Sequence, residues 1–114
     1  MAADPLYVPD RGDAVWVDFS PQMGHEPAKR RPALILSHQR YNASTGLAIM
    51  CPITNQVKGY PFEVLLPPPL AVQGAILADQ VKSQDWRARN ADFICKVPDN
   101  IVLDVLAKLN TLLR

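Results

Sequence analysis

Lys29, Arg30 and Arg31 stand side by side where an irregular stretch, residues 21–31, runs into the apolar string PALILS. At the mouth of a buried strand an arginine has its backbone held, while its planar guanidinium can bind two oxygens of one phosphate. Arg31 is therefore the strongest candidate for a phosphate clamp, against the plainer alternative of a solvated arginine at a strand start. A second polar group, Thr54, follows the apolar run LAIMC and Pro52. A hydroxyl donates to a phosphoryl oxygen but is a poor acid, so Thr54 suits charge stabilisation rather than proton transfer. A hydroxyl that merely caps a turn is the alternative. His25 carries an imidazole whose ordinary pKa lies near neutrality, although a loop histidine is usually just solvated.

These groups need elements to position them. Between residues 13 and 20, Val15, Val17 and Phe19 alternate with Ala14, Trp16 and Asp18, the period of a strand with one face in a core. Residues 21–31 mix Pro, Gly, His, Glu and the basic triplet without periodicity, which predicts a long exposed loop. Residues 32–37 and 47–51 are continuous apolar runs separated by an Asn-, Ser-, Thr- and Gly-rich connection, and predict a hairpin of buried strands. Further short strands are expected at 62–66 and 74–77, with 80–83 continuing or pairing beside the latter after a bend. Ile101, Val102, Val105, Leu106, Leu109, Leu112 and Leu113 recur at helical spacing behind Pro98, which predicts a C-terminal amphipathic helix. The fold class expected is mostly β within α+β: a small SH3-like β-barrel closed by that helix.

Composition narrows the function classes. A chain of 114 residues, 48% hydrophobic and 20% charged, predicts a single domain over residues 1–114. A net charge of +1 supplies no global basic field, so a nucleic acid would be held by a local patch or by shape. No apolar run is long enough to span a bilayer and the first nine residues lack a signal-peptide pattern, so no membrane partner is expected and the cytoplasm is the expected location. Cys51 and Cys95 match no metal or redox spacing and read as small buried hydrophobes; neither a metal nor another cofactor is indicated.

Four blocks make the pattern specific: YVPDRGDAVWVDFSP at 7–21, Gly24 and Glu26 followed by RRPALILS at 30–37, PITNQVKGYPFEV at 52–64, and ADQVKSQDWRAR at 78–89. Together they resemble the MazF toxin family along nearly the whole chain. The resemblance implies an SH3-like barrel homodimer that cleaves single-stranded RNA at short sequences, often containing ACA, and is silenced by a cognate antitoxin. It also implies that Arg31 and Thr54 are catalytic and that Glu26 matches a loop acid able to accept the 2′-hydroxyl proton. His25 and Arg30 depart from the family pattern, in which a small polar residue and a histidine tend to stand at these two places.

RNA binding calls for a positive path and for surfaces that hold splayed bases. Lys29 and Arg30 flank the clamp, and Lys58 and Lys82 are separate cationic candidates. Phe19, Asn42 and Gln80 are candidates for stacking on, or hydrogen bonding to, bases. Trp16 and Trp86 are expected in the core or an interface rather than the site. Regulation implies an antitoxin whose flexible acidic segment lies over residues 29–31. Two other classes compete: a same-fold toxin that binds gyrase without nuclease activity, and a non-catalytic module that binds proline-rich peptide. The presence of both Arg31 and Thr54 argues against the first, and an aromatic content of 7% against the second.

Overall fold

A computed structural model of the protein describes residues 6–20 and 29–114. In chain order these form β1 (Asp13–Ser20), β2 (Lys29–Ile35), α1 (Gln39–Thr45), β3 (Leu47–Thr54), β4 (Glu63–Leu65), β5 (Ala75–Leu77), a 3-10 turn (Ala78–Gln80), β6 (Lys82–Asp85), β7 (Asp92–Lys96) and α2 (Asp99–Leu113). The strand path is β4-β5-β3-β2-β1-β7, with β6 also paired to β3. Every pairing is antiparallel. No pairing among the described residues joins β4 to β7, so the expected barrel is barrel-like and open, with its helix at the C-terminus as expected.

The central strands read as continuous apolar runs because the sheet is covered on both faces. Ala14, Leu34, Cys51 and Ile53 point into one core, which α2 seals with Val102 and Val105. Val15, Val17, Ala33, Ile35, Ala48 and Met50 point the other way, into a second core with Trp86 and Ala91. In a strand, neighbours face opposite sides, so two covered faces leave little room for polar positions. Leu112 and Leu113, which share the helical spacing, are exposed at the end of α2.

Three elements differ from expectation. The connection between the second and third strands contains α1, which Gly46 ends at a φ of 74° with its N–H donating to the Asn42 carbonyl. Gly tolerates this left-handed conformation without the clash a Cβ brings. β7 has no counterpart among the expected strands; it pairs with β1 around a register shift between Ala14 and Val15. β6 pairs with β3 rather than β5, because the 3-10 turn swings the chain so that β5 and β6 share one edge of β3.

Of the cysteines, Cys51 is fully buried, and burial, with a smaller contribution from Asp79, pushes its thiol up to about 12. That is an inert core thiol, as expected. Cys95, on β7, is only half-buried.

Candidate active site

Arg31 sits opposite Val17 of β1, while on its other side β2 meets β3 in the register Ala33 to Pro52 and Leu34 to Cys51. Continuing that register by two residues sets Arg31 across from Thr54, the last residue of β3. Residues directly opposite in adjacent strands project to the same side. Both are at the open end of the second core's face, where the apolar pattern gives way to polar groups.

Two clefts meet at this point. One, of about 260 Å³, is lined by Phe19, Arg31, Pro52, Ile53, Thr54, Leu77, Gln80 and Lys82. The other, of about 720 Å³, is lined by Trp16, Arg30, Arg31, Pro32 and the 53–55 and 71–73 segments. Arg31, Ile53 and Thr54 line both, so the strand ends form a ridge between them. Among the described residues no carboxylate lines either cleft, which leaves the field around Arg31 and Lys82 receptive to an anion.

The two ridge residues are held differently. Arg31 is exposed, and its guanidinium makes no hydrogen bond or ion pair within the described residues, so its donors are available to a ligand. The Thr54 hydroxyl oxygen accepts the N–H of Gln56 at 3.1 Å, leaving its own hydrogen free to be donated. The chain of β5 backs this end of β3 through the Thr54 to Ala75 pairing.

Phe19 reaches the smaller cleft through a register irregularity: Asp18 pairs with Arg30 and Ser20 with Lys29, so Phe19 is the extra residue of a bulge. Its carbonyl and that of Asp18 accept the Arg89 guanidinium at 2.7 and 2.9 Å. The Lys82 ammonium lies 5.8 Å from its ring centroid, within cation–π range.

Five of the residues singled out from sequence, Phe19, Arg31, Thr54, Gln80 and Lys82, thus converge on one cleft. Arg30 lines the other, but its guanidinium is engaged: it donates to Asp18 at 3.1 Å and to the Asn90 carbonyl at 2.9 Å. Lys58 lines neither; its ammonium lies 5.9 Å from the Tyr60 ring. Glu26 and His25 lie outside the described residues, and of Lys29 the backbone in β2 is described.

Asn42 needs correction as a base contact. It is 0% exposed and its amide donates to the carbonyls of Pro9 and Ser37, at 2.8 and 3.0 Å, while its side-chain oxygen accepts the Ser37 hydroxyl. Its own carbonyl takes the Trp86 indole N–H at 2.8 Å. Asn42 staples α1 to the core and presents nothing to a cleft. Trp86 is buried as expected, whereas Trp16 is 42% exposed and lines the larger cleft. Alternation with Val15 and Val17 already placed Trp16 on the opposite face of β1; that this face opens beside Arg31 had no sequence signal.

Fold and clefts together define a small antiparallel β protein with an anion-receptive site at two facing strand ends. The chain is similar to the endoribonuclease toxin MazF of Escherichia coli K12, with 49% identity over 107 residues spanning 94% of this chain and 96% of that protein. It is also similar to the crystal structure of MazF from Deinococcus radiodurans, with a TM-score of 0.86, 51% identity, and 94% and 97% of the two chains covered. A MazE-MazF crystal structure from the same organism matches with a TM-score of 0.85 and 47% identity over 94% of this chain and 96% of that one. Residues 10–113 match the PemK-like, MazF-like toxin family of type II toxin-antitoxin systems. The chain belongs to this family, and its enzyme class is endoribonuclease.

Proposed function

We propose that this protein is the cytoplasmic, homodimeric toxin of a toxin-antitoxin pair and that it cuts single-stranded RNA, at ACA-containing sites, using the RNA's own 2′-hydroxyl as nucleophile. The observation that supports this reading is that Arg31 and Thr54, at facing strand ends, line two clefts in which no carboxylate stands among the described residues. Attack of the 2′-oxygen on the adjacent phosphorus forms one P–O bond and breaks the bond to the 5′-oxygen, leaving a 2′,3′-cyclic phosphate and a 5′-hydroxyl. The charge gathered on the phosphoryl oxygens of the five-coordinate transition state is what Arg31 and the Thr54 hydrogen are placed to stabilise. Glu26 is assigned the base that takes the 2′-hydroxyl proton. The Arg31 guanidinium acts as a hydrogen-bond donor that stabilises charge, and the departing 5′-oxygen takes its proton from solvent water.

Phe19 offers a face for a base, and Gln80 and Lys82 offer donors to a base edge and a phosphate. Regulation fits the same surface: the MazE-MazF structures are toxin–antitoxin assemblies, and a flexible acidic segment of a cognate antitoxin laid over residues 29–31 would occupy the phosphate positions directly.

The test is cleavage of an RNA oligonucleotide in the presence of a chelator, beside the same strand carrying one deoxynucleotide before the scissile phosphate. Mass spectrometry should find a cyclic phosphate on the RNA product and no cut in the modified strand. Efficient cutting of the modified strand would sink the mechanism.

A further inference from the structure

We infer that Gly74 and the backbone N–H of Gln56 form a two-sided cradle that sets the Thr54 hydroxyl, which makes Gly74 a positioning residue for RNA cleavage; this rests on the reading of Thr54 as a catalytic group.

Gly74 has a φ of +109°, and a Cβ built on it would lie 2.0 Å from the Thr54 carbonyl oxygen, 2.8 Å from its carbonyl carbon and 3.0 Å from the Asn55 Cα. The α-carbon of Gly74 therefore rests directly against the peptide joining Thr54 to Asn55. A side chain cannot be accommodated by a rotamer change, because every neighbour it meets is backbone.

What would move is decided by how each side is anchored. Behind Gly74, its carbonyl accepts the Leu66 N–H at 2.9 Å, and the next residues of β5, Ala75 and Ile76, are fully buried. In front, Thr54 ends β3 and residues 55–59 are exposed. The Thr54–Asn55 peptide is the weaker partner and would rotate. That rotation carries the Gln56 N–H, one residue further on, away from the hydroxyl oxygen it now holds at 3.1 Å. With one lone pair tied to Gln56, the Thr54 hydrogen has fewer directions to point and is left for the cleft. Without that tie the hydroxyl spreads over its rotamers and the charge-stabilising donor loses its aim.

The experiment is a double-mutant cycle on the full-length protein, with an RNA oligonucleotide carrying one cut site. Wild type, Gly74→Ala, Thr54→Ala and the double variant are compared by kcat and KM. Gly74→Ala should lower kcat by roughly ten- to a hundredfold with KM within about threefold, and should cost less than about threefold when added to Thr54→Ala. An equal loss in both backgrounds, a loss confined to KM, or an unchanged kcat overturns the inference. Gln56→Pro removes the N–H donor without adding a clash at Gly74. It should give the same pattern, and it decides the matter alone if Gly74→Ala fails to show a cooperative melt. A Thr54→Ala enzyme with normal kcat would refute the role of Thr54 itself and so stands apart from failure of the cradle.

Discussion

Arg30 Nη1 lies 3.1 Å from Asp18 Oδ1 across the β1–β2 ladder, and this ion pair divides the labour of two adjacent arginines. Asp18 also takes the Asn90 amide at 2.8 Å, so Arg30 ties β1, β2 and the turn before β7 into one polar knot. Arg31, one residue on, faces the other side of the strand, and its donors have no partner among the described residues. Arg31→Ala should therefore lower kcat by about 10²- to 10³-fold with the melting temperature nearly unchanged. Arg30→Ala should cost about 0.2–1 kcal/mol of stability, an exposed pair's usual worth, and less than roughly tenfold in kcat. Parallel thermal melts and cleavage kinetics separate the two; a larger kinetic loss at Arg30 than at Arg31 would reverse the assignment.

Asn42 supplies a contrasting case. Asn42→Ala leaves the buried carbonyl of Pro9 and the part-buried carbonyl of Ser37 without their donor and should destabilise the fold by about 1–3 kcal/mol. RNA affinity per folded molecule should not change. Denaturant midpoints and binding of an uncleavable deoxy-substituted strand, measured on the same preparation, check both halves of the statement.

Stability should fall at alkaline pH. The folded chain keeps the Cys51 proton to about pH 12, whereas the unfolded chain releases it near its ordinary value of 9.0. Tyr7 acts in the same sense: burial, and then its 2.6 Å bond to Asp13, push its hydroxyl above the ordinary 10.0. Above about pH 9 the folded state binds more protons than the unfolded one. The stabilisation is thus complete below that pH and is lost as pH rises, at about 1.4 kcal/mol per unit for the buried thiol. Urea midpoints between pH 7 and 11 should fall more shallowly for Cys51→Ala; a slope identical to wild type's counts against this account.

Antitoxin and RNA should exclude one another. An acidic antitoxin peptide and the uncleavable strand should compete for one protomer's clefts, and reversing the charge at Lys29 and Arg30 should weaken both, more so at low salt. Sedimentation of a ternary complex with both ligands at the same protomer would contradict a shared surface.

Periodicity and motif carried a good part of this protein. The alternation around Val15 and Val17, the apolar strings of β2 and β3 and the helical spacing of Val102 and Val105 are local burial patterns, so they were legible along the chain. Arg31 and Thr54 were legible for the same reason, since each is the first polar group beyond an apolar run. Tertiary structure decided what depends on distant partners. Asn42 looks like a connector residue until Pro9 and Trp86, far off in the chain, close around it. Arg30 and Arg31 are alike in sequence, and among the described residues the Asp18 and Asn90 partners distinguish the engaged guanidinium of Arg30 from that of Arg31. Gly74 is one glycine among five until β5 is laid against the end of β3, because the need for a missing Cβ comes from a backbone twenty residues away.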